Sequence, residues 1–191
     1  NNPMRNPSVK NNFGRPEYVQ ASLEAARESL VLLKNDNNIL PLAKNKKVLV
    51  TGPTADSLIS LNNGWTWVWQ GSEESLYPKN KMTIRQAIRE KIGEDRFEFR
   101  QGTRIVRPPN SPANTTPTAM DVEVNIRDAV EEAEDSDVVI LCLGEGSYTE
   151  TPGNITDLTL SEMQLRFAEA VIATGKPVIL VLVEGRPRLI S

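Results

Sequence analysis

Three continuous apolar runs, Val48-Leu49-Val50, Val138-Val139-Ile140-Leu141-Cys142-Leu143 and Val178-Ile179-Leu180-Val181-Leu182-Val183, are separated by stretches of helical period. This alternation constrains the fold more than any other feature of the chain. A strand with no polar alternation is buried on both faces, and such strands belong to parallel sheets whose crossovers are helices. A fourth segment, Phe97-Glu98-Phe99-Arg100, alternates and reads as a shorter strand at 97–100. The fold class expected is α/β, a three-layer sandwich with a mainly parallel sheet flanked by helices.

The helices follow from apolar spacing. Val19, Leu23, Ala26, Leu30 and Leu33 predict a helix over about 17–34, with Pro16 and Glu17 suiting its first turn. A short helix is expected near 56–62. Ile84, Ile88 and Ile92 predict one over about 82–92. Ile126, Ala129, Val130 and Ala133 form the inward face of one over about 122–134. Ser161 is the expected N-cap of a last helix, with Met163, Phe167, Ala170 and Val171 inward. Residues 101–121 hold four prolines and read as a long irregular loop. Residues 1–16 read as an interdomain linker and 17–191 as the sandwich domain, incomplete at its C-terminus.

Composition then removes whole classes of chemistry. The 191 residues contain no histidine, which excludes a Ser-His-Asp or Cys-His relay and any histidine metal site within the chain. The single cysteine, Cys142, lies inside a core strand and reads as a small buried hydrophobe. The net charge of −3, with both signs mixed along the chain, argues against nucleic acid and anionic membrane surfaces. The turn Gly52-Pro53-Thr54-Ala55-Asp56 follows a strand but lacks the spacing of a phosphate-binding loop. Carboxylates and carboxamides are the chemistry that remains, and no cofactor or metal is implied.

Two stretches gather that chemistry. Gly144-Glu145-Gly146-Ser147-Tyr148-Thr149-Glu150 leaves the second apolar strand, where parallel sheets bind ligands. Glu150 is a candidate general acid, against the alternative of a solvated loop glutamate. Glu145, directly after the strand, either holds the loop or binds a hydroxyl. The second stretch, Asn63-Gly64-Trp65-Thr66-Trp67-Val68-Trp69-Gln70-Gly71, contains all three tryptophans of the chain. Indole faces pack on the C–H faces of sugar rings, so Trp65 is a candidate stacking residue, with Asn63 and Gln70 as candidate hydrogen-bonding partners of hydroxyls. The competing reading puts the indoles in the core.

Several stretches together resemble the second domain of family 3 glycoside hydrolases, in its β-glucosidase and β-glucan exohydrolase branch. They are Ala26-Arg27-Glu28-Ser29-Leu30-Val31-Leu32-Leu33-Lys34-Asn35 with Leu40-Pro41-Leu42, Gly64-Trp65-Thr66 with Trp69-Gln70-Gly71, Gly144-Glu145, Tyr148-Thr149-Glu150-Thr151, and Gly185-Arg186-Pro187. The resemblance covers about residues 17–191. It implies an active site shared with a (β/α)8-like barrel that is absent from this chain. A barrel aspartate would be the nucleophile of a retaining mechanism, with Glu150 as acid/base and Trp65 on the aglycone side. The implied partners are that barrel and a β-glucoside or β-glucan oligosaccharide. The implied location is periplasmic or secreted, and the chain alone is expected to be inactive. A noncatalytic carbohydrate-binding or docking module using the tryptophan loop is the alternative, and a nucleotide-binding α/β domain a weaker third.

Overall fold

The computed structural model describes residues 6–106 and 120–190. The chain divides into two compact units, residues 1–41 and 42–191. The first holds helix α1, Pro16–Glu28, which opens on a proline at its first turn and buries no residue. It stops short of the expected residue 34. The Ser29 backbone N–H closes on the carbonyls of Ala25 and Arg27, and its hydroxyl donates to Ala26 O at 2.8 Å. A serine that bonds its own backbone in this way competes with the next helical turn. Leu30, Val31, Leu32 and Leu33 follow as an exposed, non-helical apolar stretch.

The second unit is built on a four-stranded sheet of β1 (Val48–Thr51), β2 (Phe97–Arg100), β5 (Val138–Gly144) and β6 (Val178–Val183), in the order β2-β1-β5-β6. Every pairing is parallel. All seven residues of β5 are buried. The remaining strands, β3 (Thr103–Val106) and β4 (Met120–Glu123), form a separate antiparallel pair. The expected loop over 101–121 is therefore structured at both ends, and residues 107–119 lie outside those described. The pairing also takes up residues 120–123, so the next helix, α4 (Ile126–Glu134), starts at Ile126 rather than 122. Just before it, Asn125 Oδ1 accepts from Gly102 N at 2.9 Å, tying the helix start to the strand turn.

The period-two pleat sorts the strand residues into two cores. Leu49, Val139, Leu141 and Leu143 face Ala129 and Ala133 of α4 and Phe167 and Val171 of α5 (Glu162–Ile172). Ser161 caps α5, its side chain accepting from Gln164 N. Phe167 is fully buried, a contribution of about 2 kcal/mol for one such side chain. On the other face, Val48, Val50, Ile140 and Cys142 meet Ala55 and the Ile84, Ile88 and Ile92 stripe of α3 (Ile84–Ile92). A capping box at Thr83 and Gln86 starts that helix. Burial pushes the Cys142 thiol up to about 12, so the cysteine is an inert core residue. The turn Gly52–Ala55 is buried as well, with the Thr54 hydroxyl donating to Leu143 O at 3.3 Å.

Strand order places the site. The chain leaves β1 for β2 on one side, then crosses to β5 on the other. Segments leaving the carboxyl ends of β1 and β5 therefore diverge, and the crevice between them is where open α/β sheets bind ligands. The segment after β1 carries α2 (Leu58–Asn62) and then the tryptophan loop. The segment after β5 carries Glu145 and Glu150.

Candidate active site

The β5 strand is locked at its exit. Gly144 N donates to Gln164 Oε1 at 2.9 Å, and Gln164 Nε2 donates to Gly144 O at 2.8 Å. A buried side-chain amide thus pairs with one residue of backbone in the manner of a neighbouring strand. Glu145 N continues the ladder to Val183 O at 3.0 Å.

Five residues on, the same device recurs. Thr149 N donates to Gln70 Oε1 at 3.1 Å, and Gln70 Nε2 returns to Thr149 O at 3.3 Å. Asn63 Oδ1 accepts from Tyr148 N at 2.9 Å and from its own neighbour Gly64 N at 2.8 Å. These bonds join the tryptophan loop to the β5 loop. The approach is so close that a Cβ on Gly64 would stand 2.0 Å from Thr149 Cγ2, so only glycine fits there. Both carboxamides that the sequence singles out for hydroxyl binding are engaged with backbone, and Gln70 is buried.

Glu145 is also engaged. Its side chain is 9% exposed. One oxygen accepts from Arg186 Nε at 3.2 Å and Arg188 Nη1 at 2.6 Å, the other from the Tyr148 hydroxyl at 3.1 Å. The Arg186 guanidinium lies 3.9 Å from the Tyr148 ring centroid and donates through Nη1 to Gly153 O at 2.5 Å. Arg188 Nε reaches Leu158 O at 2.9 Å. Of the two roles open to Glu145, the geometry is that of a loop holder. Burial raises the Tyr148 hydroxyl above its ordinary range, and the Glu145 charge adds to this. Glu184, the residue after β6, is raised first by burial and then by the Glu145 charge, while the Arg188 N–H that it accepts works the other way. Its second oxygen is buried and has no hydrogen-bond partner among the described residues.

Against this, Glu150 and the indoles are open. Glu150 is exposed, sits at φ +50°, and makes no side-chain hydrogen bond or ion pair among the described residues. A 3-10 turn, Thr151–Gly153, follows it, with Gly153 N donating to Glu150 O at 2.8 Å. Trp65, Trp67 and Trp69 are 69%, 58% and 38% exposed, so none is a core residue. Trp65 is also left-handed, at φ +54°, and its N–H closes the loop on Trp69 O at 3.0 Å. The tight contact of Gly64 with Thr149 is one residue from Trp65 and one from Glu150, so the two loops touch next to both positions. A groove of about 270 Å³ beside it, lined by Leu58, Leu61, Trp67, Pro78 and Met82, does not reach Glu150.

The structure thus leaves Trp65 and Glu150 exposed on two loops that touch at Gly64 and Thr149, and engages Asn63, Gln70 and Glu145 in holding those loops. Sequence reading assigned no role to Tyr148, Gln164 or Arg188, and knew Arg186 only as part of a motif. One signal was available: a carboxylate directly after a fully apolar strand needs a buried cation, and two arginines follow the neighbouring strand.

Comparison with known proteins agrees with this picture. Residues 30–191 match the model of the glycosyl hydrolase family 3 C-terminal domain. A lysosomal β-glucosidase of Dictyostelium discoideum is 40% identical over 99% of this chain and 22% of its own length. A β-xylosidase of Formosa agariphila is 32% identical over 93% of this chain and 23% of its own. Among solved structures, a β-glucosidase involved in saponin metabolism from intestinal bacteria superposes with a TM-score of 0.75 at 26% identity, over 95% of this chain and 26% of its own. The chain therefore spans about a quarter of the length of the relatives it matches.

Proposed function

Since the chain belongs to glycosyl hydrolase family 3, as its C-terminal domain, we propose that it supplies the acid/base glutamate, Glu150, and one wall of the sugar pocket of a retaining β-glucosidase-like enzyme. On this reading the parent polypeptide removes terminal β-D-glucosyl residues from oligosaccharides or β-glucans. The barrel supplies the nucleophile, and this domain without it is inactive. The parent works in the periplasm or outside the cell.

The observation that carries the reading is that an exposed carboxylate with no partner among the described residues and an exposed indole lie on two loops that touch at the switch point of the sheet. A retaining mechanism needs two carboxyl groups about 5–5.5 Å apart, the first giving its proton to the leaving oxygen and then taking one from water. An open Glu150, on a backbone fixed from behind, is suited to meet a second carboxylate brought by another domain. Trp65 would stack on the aglycone.

The test is hydrolysis of aryl β-glucosides by the full polypeptide carrying this segment, wild type beside Glu150→Ala, with aryl β-xylosides in parallel. The expected result is a loss of about 10²–10⁴ in rate on poor leaving groups and, on activated aryl glucosides whose second step limits, turnover restored by azide as a β-glycosyl azide. A variant as active as wild type refutes the assignment. The exposed tryptophans favour one other reading, a carbohydrate-binding module. Glycan binding lost in Trp65→Ala, beside undiminished hydrolysis in Glu150→Ala, would support that instead.

A further inference from the structure

We propose that Arg186 is a positioning residue for Glu150, holding the exit of its loop as Gln70 holds the entrance. The inference rests on the reading of Glu150 as the acid/base.

Glu150 lies between two backbone anchors. On its N-terminal side, the Thr149 peptide is paired on both edges by the Gln70 amide. On its C-terminal side, the turn closes through Gly153 N to Glu150 O, and the Gly153 carbonyl is held by Arg186 Nη1. Between the anchors, Glu150 adopts a left-handed backbone that a residue with a Cβ avoids unless its surroundings impose it. With either anchor released, this residue would relax and carry its carboxylate away from where a glycosidic oxygen must sit.

Arg186 is shaped for the task. It holds Glu145 through Nε and Gly153 O through Nη1 at the same time, while its plane rests on Tyr148. Tyr148 in turn donates to Glu145, so the contacts form a closed ring around the base of the loop. A planar fork does this and a lysine ammonium does not. The ring has no room to shift: a Cβ on Gly185 would meet the Tyr148 hydroxyl and Asn63 Nδ2, each at 2.4 Å. Arg188 shares Glu145 but turns its other donors to Leu158 and Thr159, so it supports the ring without touching the turn at Gly153.

The experiment uses the full polypeptide with Arg186→Met, Arg186→Lys and Glu150→Ala. Each is assayed on 2,4-dinitrophenyl β-glucoside, whose aglycone leaves without a proton, and on methyl β-glucoside, which needs one. Amide hydrogen exchange of residues 145–154 is followed beside these assays. In Arg186→Met, kcat on the methyl glucoside is expected to fall about 100-fold with little change in KM. For the dinitrophenyl glucoside kcat/KM, which reports only the step that needs no proton, should be nearly unaffected, while kcat falls because the second step still needs the base. Gly153 and Thr149 amides should exchange faster while those of β5 do not. Arg186→Lys should recover only part of the loss. Equal losses of kcat/KM on both substrates, or unchanged exchange at Gly153, would overturn the proposal and leave Arg186 a purely structural residue. If Glu150→Ala itself shows no dependence on the leaving group, the acid/base reading has failed. The exchange at Gly153 then still reports whether Arg186 holds the turn.

Discussion

Two loops meet at the carboxyl edge of this sheet, and they divide their side chains in opposite ways to those their sequences suggest. The β5 loop is rich in polar groups, yet it directs Glu145 and Tyr148 inward and leaves only Glu150 open. The tryptophan loop is rich in apolar surface, yet it turns its two carboxamides inward and leaves three indoles in solvent. The tryptophan loop gives its carboxamides to the backbone of the β5 loop, while Glu145 and Tyr148 turn to each other and to Arg186 and Arg188. Irregular backbone buried between loops must find partners, and short amides or a charged ring supply them. Three large indoles exposed on one loop serve no such hydrogen-bonding need, and apolar groups gathered in this way are the usual composition of a binding surface.

The comparison breaks most visibly at Gln70. Gln70→Ala removes both bonds to Thr149 and leaves a buried N–H and C=O unpaired. It should destabilise the 191-residue chain by about 3 kcal/mol, read as a lowered urea midpoint. A loss below about 1 kcal/mol would mean that the two loops are not joined as described.

A smaller effect, confined to part of the pH range, is expected at Glu184. Its native carboxyl is raised, chiefly by burial, so the folded state holds its proton more tightly than the unfolded state. Its contribution is then fully present below the unfolded pKa, near 4.3, and is lost as pH rises through the native value. Glu184→Gln should therefore gain on wild type in urea midpoint at pH 7 and show no gain at pH 4. A variant that loses stability at both would show that the charge of Glu184 is needed by the arginines beside it.

The smallest change is expected at Trp65. With the indole 69% exposed, Trp65→Ala should alter stability by no more than about 0.5 kcal/mol. In the full enzyme its loss should appear in KM for the aglycone. A large loss of stability would place Trp65 among the structural groups and undo the contrast between the loops.

Much of the sheet was legible from sequence, because continuous apolar runs leave few alternatives to a buried parallel strand. The end of α1 was not, since the stripe of Leu23, Ala26, Leu30 and Leu33 continues past the serine that stops the helix. Nor was the β3–β4 pair. Its strands are four residues each and flank a proline-rich stretch, so neither periodicity nor turn chemistry announces them. At the site, exposed groups were easier to find than their supports. Glu150 and Trp65 stand out by residue type and place in the order of elements. The amides of Gln70 and Asn63 look alike whether they meet a ligand or a peptide bond. Only the register of two loops distant in sequence decides between those roles.

The left-handed backbone at Glu150 has a consequence for anyone who would engineer this domain. Selection for thermal tolerance alone would favour glycine there, since glycine adopts that conformation freely and other residues hold it at a cost of about 1–3 kcal/mol. A screen that reads only heat resistance would therefore drift toward deleting the one open carboxylate of the loop. On the proposed acid/base role, libraries built on this scaffold need position 150 held fixed, and a family of stabilised variants enriched in glycine there would be a warning of lost chemistry, not of an improved fold.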